Sequence, residues 1–416
     1  MNVILLLIFA FLVYILWKNN TIFPFSFIFS LFWFLNIFSS EIFFSDVSFS
    51  QNIYVFLLGA CIMSCLGELI FGSKKKHNGI GVIFESTIKK RFFYIFLLIG
   101  MVYPVEILYV NGLSLDVFLS FDSILEANTT LAESRYDEQS KTSIVSQLTL
   151  IFLYLTPLWG GMVFKNEKKV KFFLLSILPS LIVLLTQNTK FVFVVGLSLF
   201  FVGRLTYILL FDGELPKLKM KALVNYLLMF FLIYSLIIVS FVFRTGNFTE
   251  SSFKYANVKF AEYVSYVPAF DMWLVEDYNS DSFLEFQYGV KTFYGIANAI
   301  GIQKREIGVF NDFKRIETNN EEVITNVYTV FRFHIEDFGI LGTYCFLFFI
   351  SSIFAFFRTN QREFPFLSIV VVASLLFYVF DSYVSSIWAY TSFILLFVVF
   401  YFALKVSCKK VSNDQF

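Results

Sequence analysis

The chain has 416 residues, of which 58% are hydrophobic, 21% aromatic and 15% charged. A soluble protein is about one quarter charged, so this composition excludes an ordinary soluble enzyme and a disordered chain. Lys plus Arg number 32 and Asp plus Glu 31, which leaves no basic surplus that would recruit a nucleic acid.

Long apolar runs predict helices that cross a membrane, because only 7 prolines interrupt a chain with 60 phenylalanines. Each span needs about 20 mostly apolar residues. The sequence predicts an all-α polytopic membrane protein that forms a single integral membrane domain over 1–416, with about eleven spans. In chain order they are 3–17, 21–39, 52–71, 92–110, 144–164, 172–188, 191–211, 222–243, 338–357, 365–381 and 388–407.

Basic residues concentrate in alternate loops between these spans, for example in the runs 74–76, 89–91 and 165–171. Cytoplasmic loops carry the excess of Lys and Arg in membrane proteins. With an odd number of spans, this pattern predicts a periplasmic N-terminus and a cytoplasmic C-terminus.

Two predicted outer loops are longer than the others, at 111–143 and 244–326. The first is acidic. The second is long enough for a small subdomain of short helices and contains scattered Tyr and Trp residues. Most of the polar groups that a substrate would meet therefore lie in these two loops and at the outer ends of the helices.

Four basic residues lie at the predicted outer surface, against the usual charge bias of membrane proteins. They are Arg135, Lys190, Arg244 and Arg332. Fixed cations at this surface suit a lipid-linked diphosphate, because Arg presents a planar fork to phosphate oxygens and Lys a compact charge. The alternative is that they bind lipid headgroups or local carboxylates.

The segment 326–337 places several polar residues directly before a predicted span. If it is helical, Tyr328, Arg332 and Glu336 share one face, since they are four residues apart. Arg332 and Glu336 then form either part of a site or a surface ion pair.

Asn326, His334 and Asp337 lie on a neighbouring face of the same segment. His334 and Asp337 are candidate catalytic residues, since a histidine oriented by a carboxylate is a common general base. The alternative is that the two residues only cap a helix end.

The sequence predicts neither a metal site nor a cofactor site. His77 and His334 are the two histidines, and the four cysteines lie in or beside apolar runs, without metal-ligand or disulfide spacing. The acidic pair Asp212 and Glu214 falls in a short turn on the predicted cytoplasmic side, where we interpret it as part of the turn.

The pattern resembles that of bacterial O-antigen polymerases of the Wzy type, the oligosaccharide repeat-unit polymerases. The resemblance covers the order of spans and of the two long outer loops, and Lys190 and Arg244 correspond to basic residues of that family. The best local match is Thr325-Asn326-Val327-Tyr328-Thr329, followed by Glu336-Asp337-Phe338-Gly339-Ile340-Leu341-Gly342.

This resemblance implies metal-independent glycosyl transfer on the periplasmic face of the bacterial inner membrane. Donor and acceptor are oligosaccharides on undecaprenyl diphosphate, and a separate protein regulates chain length. We expect Lys190, Arg244, Arg332 and Arg135 to bind the diphosphate, Tyr328 and Asn326 to bind the glycan, and Arg244 to act in catalysis.

Two other functions are compatible with a polytopic membrane protein of this kind. One is an O-antigen ligase, whose acceptor is a lipid A core. The other is a flippase or transporter of lipid-linked oligosaccharides, which requires polar groups deep in the spans and between broken helices. The spans here are almost uniformly apolar, which favours a transferase.

Overall fold

A computed structural model describes residues 3–71, 88–136, 142–213, 215, 233–243, 245, 248–278, 286–303, 310, 312–318 and 322–407, with the side chains of 135 and 136 excepted. Most of these residues are helical. The helices are α1 (Val3–Lys18), α2 (Pro24–Phe43), α3 (Gln51–Phe71), α4 (Lys90–Val110), α5 (Phe121–Tyr136), α6 (Ile144–Glu167), α7 (Val170–Gln187), α8 (Lys190–Tyr207), α9 (Ile233–Phe243), α10 (Glu250–Val264), α11 (Tyr266–Glu276), α12 (Tyr294–Ala299), α13 (Val330–Thr359), α14 (Pro365–Asp381) and α15 (Thr391–Ser407).

Seven helices in the described part of the chain are long and apolar enough to cross a membrane. They are α2, α3, α4, α6, α7, α8 with its π-helical extension to Asp212, and α13. Shorter apolar helices are α1, α9, α14 and α15. The prediction of an all-α protein embedded in a membrane is therefore confirmed, while the count of eleven spans stays a prediction.

The described part of the long loop 244–326 contains the short helices α10 to α12 and also an antiparallel hairpin that the sequence did not predict. Its strands are β1 (Lys314–Glu317) and β2 (Glu322–Thr325), paired from Lys314 with Thr325 to Glu317 with Glu322. The side chains alternate between exposed and more buried positions along both strands, which is the pattern of a hairpin with one face packed on the protein.

The chain forms two compact units. Unit 1 comprises residues 1–80, 209–215 and 261–397, and unit 2 comprises residues 81–208, 216–260 and 398–416. In unit 1, α3 packs along α13. Phe331 joins them to α2, because its ring centroid lies 4.6 Å from that of Trp33 and 5.0 Å from that of Phe56.

A carboxylate from α3 caps the N-terminus of α2. Glu68 accepts hydrogen bonds from the backbone N–H groups of Phe25 (3.1 Å) and Ser26 (2.8 Å) and from the Ser26 hydroxyl (2.6 Å). The local N-cap residue, Phe23, has no side chain that accepts such a bond. The first N–H groups of a helix have no partner inside the helix and attract negative charge, so Glu68 satisfies donors that would otherwise be buried and unpaired.

The N-terminus of α3 is capped in the same way by Asp271 of α11. The backbone N–H of Ser50 donates to Asp271 Oδ2 at 2.7 Å, and the Ser50 hydroxyl donates to Oδ1. Burial raises the pKa of Asp271, and the hydrogen bonds from Ser50 oppose this rise. The contact attaches α11, part of the long loop, to the start of a membrane-spanning helix.

In unit 2, α6 packs against α8 and α4. The backbones of α6 and α8 approach closely at Gly203, where an added Cβ would lie 2.0 Å from the carbonyl oxygen of Leu158. Small residues allow such approach between helices in membranes, where packing drives association.

Gly203→Ala is expected to destabilise the protein, because the added methyl group forces the two backbones apart. Overpacking of this kind costs about 1–3 kcal/mol or more, which we expect to lower the temperature of thermal unfolding in detergent. Leu98→Ala is the control, since Leu98 is 71% exposed on α4. Equal unfolding temperatures for the two variants would contradict the close contact.

Candidate functional site

Arg332 lies in the first turn of α13 and forms two ion pairs. Its Nε donates to Glu336 Oε1 at 2.8 Å, and its Nη1 donates to Asp312 Oδ2 at 2.8 Å. The pair with Glu336 follows from the four-residue spacing on a helix. The side chain of Arg332 is only 8% exposed and that of Glu336 14%, so this pair is buried and is not the surface pair that the sequence left open.

Aromatic rings enclose the Arg332 guanidinium. Its Cζ lies 4.0 Å from the ring centroid of Phe310, 4.1 Å from that of Tyr328 and 5.1 Å from that of Trp273. A guanidinium is attracted to ring faces and stacks on them. We call Arg332, Asp312, Glu336, Phe310, Tyr328 and Trp273 the Arg332 site.

Asp312 is the accessible carboxylate of this site, with 47% of its side chain exposed. The Tyr328 hydroxyl donates to Asp312 Oδ2 at 3.1 Å, beside the Arg332 contact. Burial acts to raise the pKa of Asp312, but the hydrogen bond and the charge of Arg332 outweigh it and hold the pKa below its ordinary value of 3.8. Asp312 is therefore ionised at neutral pH.

The depressed pKa of Asp312 predicts a pH-dependent contribution to stability. The contribution is fully present above the ordinary value of 3.8 and is lost as the pH falls through the lower pKa of the folded state, because protonation breaks the ion pair. The unfolding temperatures of wild type and Asp312→Asn should therefore differ at neutral pH and converge in acid. A difference that is constant with pH would contradict the ion pair.

His334 is fully buried in α13 and bonds to two hydroxyl groups. Its Nδ1 lies 3.0 Å from the Thr292 hydroxyl oxygen, and its Nε2 lies 2.8 Å from the Tyr378 hydroxyl oxygen. Its ring centroid is 4.5 Å from that of Phe346. These contacts join α13 to α14 and to the segment before α12. Both ring nitrogens therefore bond to hydroxyl groups, and not to Asp337, the partner that the sequence suggested.

Asp337 holds a tight turn at 286–293. Its two oxygens accept the backbone N–H groups of Lys291 (3.1 Å) and Thr292 (2.5 Å). The N–H of Gln287 donates to the carbonyl of Glu336 at 3.0 Å. The helix is interrupted two residues later at Gly339, whose φ of 70° and ψ of 177° lie outside the helical region. The conformation with positive φ is one that glycine adopts without steric cost.

Asn326 and Tyr328 lie in the extended segment before α13, and not on the helix itself. The Asn326 side chain donates to the carbonyl of Phe310 at 3.4 Å. Tyr328 stacks on Arg332, as described above. Asn326 therefore supports one aromatic wall of the Arg332 site, and Tyr328 forms another.

Lys190 belongs to unit 2, where it is the first residue of α8. It is 4% exposed, and its Nζ lies 4.0 Å from the ring centroid of Phe241. The turn before it is fixed by Asn188, which adopts a left-handed conformation (φ 52°) and whose Oδ1 accepts a hydrogen bond from the Ser240 hydroxyl. Lys190 is thus a buried cation directly after a constrained turn.

The two remaining predicted cations lie wholly or partly outside the described residues. Arg244 lies outside the described residues, and Arg135 lies in the last turn of α5 with its side chain outside them. Five of the predicted residues lie in unit 1: Asn326, Tyr328, Arg332, His334 and Asp337. Tyr328 and Arg332 contact the ring of Phe310, and Asn326 bonds to its carbonyl. His334 and Asp337 instead both bond to Thr292.

Sequence reasoning missed Asp312, Phe310, Thr292 and Tyr378 as partners of these residues. Nothing in their spacing connects them to α13, since they reach it from three separate stretches of chain, one of which holds both Phe310 and Asp312. Trp273 had a weak signal as one of the scattered aromatic residues of the long loop. Among the described residues, no group of three or more His, Cys, Asp or Glu side chains is arranged to hold a metal ion.

Residues 65–158 match the family model described as a domain of unknown function, DUF4181. No curated protein and no solved structure matches the chain. The family match spans the end of α3, α4, α5 and part of α6, and it does not include the Arg332 site.

Proposed function

We propose that the protein polymerises oligosaccharide repeat units carried on undecaprenyl diphosphate, by metal-independent glycosyl transfer at the periplasmic face of the bacterial inner membrane. In this proposal the chain has eleven spans, a periplasmic N-terminus and a cytoplasmic C-terminus. The acceptor hydroxyl attacks the anomeric carbon of the donor, and undecaprenyl diphosphate leaves with the electron pair of the broken bond.

The observation that carries the proposal is the Arg332 site, in which aromatic rings and an accessible, ionised carboxylate surround the start of an apolar helix. The three rings stack on the guanidinium and are at most 8% exposed, so the group that can meet a substrate is the Asp312 carboxylate. A carboxylate suits a sugar, which presents hydroxyl donors. Glycosyl transfer proceeds through an oxocarbenium-like transition state. A carboxylate that stays ionised stabilises the positive charge that develops there, and Asp312 fits this role.

The contacts of Arg332 favour a positioning role for this residue in the proposed reaction. Its Nε and Nη1 are directed at Glu336 and Asp312, so Arg332 fixes the carboxylate that faces the substrate. Lys190, Arg244 and Arg135 stay the predicted ligands of the diphosphate. Preorganised cations stabilise the charge that develops on such a leaving group. His334 and Asp337 hold the backbone around the site.

Complementation of cells that lack the protein tests the proposal through the length of the surface polysaccharide. We expect wild type to restore a ladder of long chains, and Asp312→Asn and Arg244→Ala to give lipid A cores that carry one repeat unit. Cores without any repeat would indicate a ligase, and repeat units trapped on the cytoplasmic side would indicate a flippase. Normal ladders from both variants would contradict the proposal.

A further inference from the structure

Unit 2 contains a cavity of about 500 Å³ between the start of α4 and the end of α6. Its rim carries Lys89, Lys90 and Arg91 on one side, and Asn166 and Glu167 on the other. Both helices are apolar enough to span a membrane, and these residues lie at their ends. The cavity is therefore located where the helices reach the membrane surface.

The rim of this cavity has three cationic side chains and one carboxylate. Lys90 Nζ lies 2.8 Å from Glu167 Oε1, and Lys169, which is outside the rim, lies 3.7 Å from Oε2 of the same carboxylate. Glu167 is thus shared between two lysines. The rim keeps a positive charge, which suits an anion with several oxygen acceptors such as a phosphate.

The backbone at the cationic rim is held in place by a buried tryptophan. Trp159 of α6 is fully buried, and its indole N–H donates to the carbonyl of Lys89 at 3.2 Å. This bond fixes the start of α4 relative to α6. The backbone of the three consecutive basic residues is therefore fixed before a ligand binds. This lowers the conformational entropy that is lost on binding.

Apolar surface continues from the rim along α4. Ile95, Leu98 and Val102 are 45%, 71% and 41% exposed, and they follow Arg91 at spacings of four, three and four residues, which place them on one helix face. Inside the cavity, Ile88 and Val163 form buried apolar walls. A cationic rim above an exposed apolar stripe matches a molecule with an anionic head and a hydrocarbon tail.

We propose that this cavity binds the phosphate headgroup of an anionic glycerophospholipid, with an acyl chain along the stripe from Arg91 to Val102. Basic pockets between membrane helices are suited to such headgroups. The rim belongs to the loops that the charge bias assigns to the cytoplasmic side, so the lipid comes from the cytoplasmic leaflet. The inference is independent of the Arg332 site.

The test measures lipid retention by the full-length protein purified in a neutral detergent. Phosphatidylglycerol, phosphatidylcholine and soluble glycerol 3-phosphate are added separately, and bound molecules are counted by native mass spectrometry. We expect wild type to retain phosphatidylglycerol in preference to phosphatidylcholine, and Lys89→Gln/Arg91→Gln to bind it about tenfold more weakly, since each cation near the surface contributes to headgroup attraction.

The matched control is Lys168→Gln/Lys171→Gln, which removes two exposed cations that do not line the cavity. It should retain phosphatidylglycerol like wild type. Equal loss in both double variants would overturn the proposal in favour of diffuse attraction, and so would equal retention of the two lipids by wild type. Binding of glycerol 3-phosphate as tight as that of the lipid would keep the phosphate site but overturn its assignment to a lipid.

Discussion

Arg332→Ala is expected to abolish polymer formation and to destabilise unit 1. The substitution leaves the Glu336 carboxylate, which is 14% exposed, without its cation, and it removes the contact that positions Asp312. Breaking a buried ion pair by removing one partner costs about 3–5 kcal/mol. The exposure of Asp312 places the expected cost near the lower value, about 3 kcal/mol. Thermal unfolding in detergent and ladder length in complemented cells measure the two effects.

Two further variants separate the charge of Arg332 from its shape. Arg332→Lys keeps the charge but loses the planar guanidinium and most of the stacking. We therefore expect an unfolding temperature between those of wild type and Arg332→Ala, and little polymer. Arg315→Ala is the matched control, because Arg315 on β1 is 74% exposed and pairs with Glu322 at 3.5 Å; an exposed pair is worth about 0–1 kcal/mol. If Arg332→Ala behaved like Arg315→Ala, the Arg332 site would not hold the loop in place.

Glu68→Ala is expected to lower the stability of unit 1 about as much as Arg332→Ala does. The substitution changes no residue of the Arg332 site. The change leaves two backbone N–H groups and one hydroxyl of α2 without their acceptor, and Phe25 and Ser26 are both fully buried. Each buried donor left unpaired costs about 1–3 kcal/mol. We therefore expect a large fall in unfolding temperature and poor accumulation of the protein in the membrane.

A double-mutant cycle tests this cap directly. Ser26→Ala should have a smaller effect in the Glu68→Ala background than in wild type, because the hydroxyl then has no carboxylate to lose. Glu363→Ala is the control, since Glu363 is exposed in the turn after α13. Additive effects of the Ser26 and Glu68 substitutions would contradict the cap.

The apolar helices are the part of the fold that the sequence predicts well, because hydropathy is a local property. The predicted span 365–381 coincides with α14, and each of the other predicted spans overlaps a described helix. The predicted span 338–357 agrees with the part of α13 after its interruption at Gly339 but misses the turns from Val330 onward. The first turns of α13 carry the polar residues Arg332, His334 and Glu336. A search for apolar runs therefore does not detect this part of the helix.

The caps and ion pairs are the part that the sequence does not predict, because their partners are distant along the chain. Glu68 caps α2, whose Ser26 is 42 residues away along the chain. Arg332 was identified from its position and its spacing to Glu336, whereas its second partner, Asp312, is 20 residues away in a non-helical segment. His334 and Asp337 were paired by proximity in sequence, but their hydrogen bonds go to Thr292, Tyr378 and the turn at 286–293.

The most direct measurement of the proposed activity uses the purified protein in lipid nanodiscs with an undecaprenyl-diphosphate-linked repeat unit, taken from cells that lack the protein. Product length is read by gel electrophoresis and mass spectrometry, with a chelator present. We expect products of many repeats from wild type and from Arg315→Ala, with release of undecaprenyl diphosphate, and single repeats from Asp312→Asn. Single repeats from the wild-type protein, or long products from Asp312→Asn, would contradict the proposed activity.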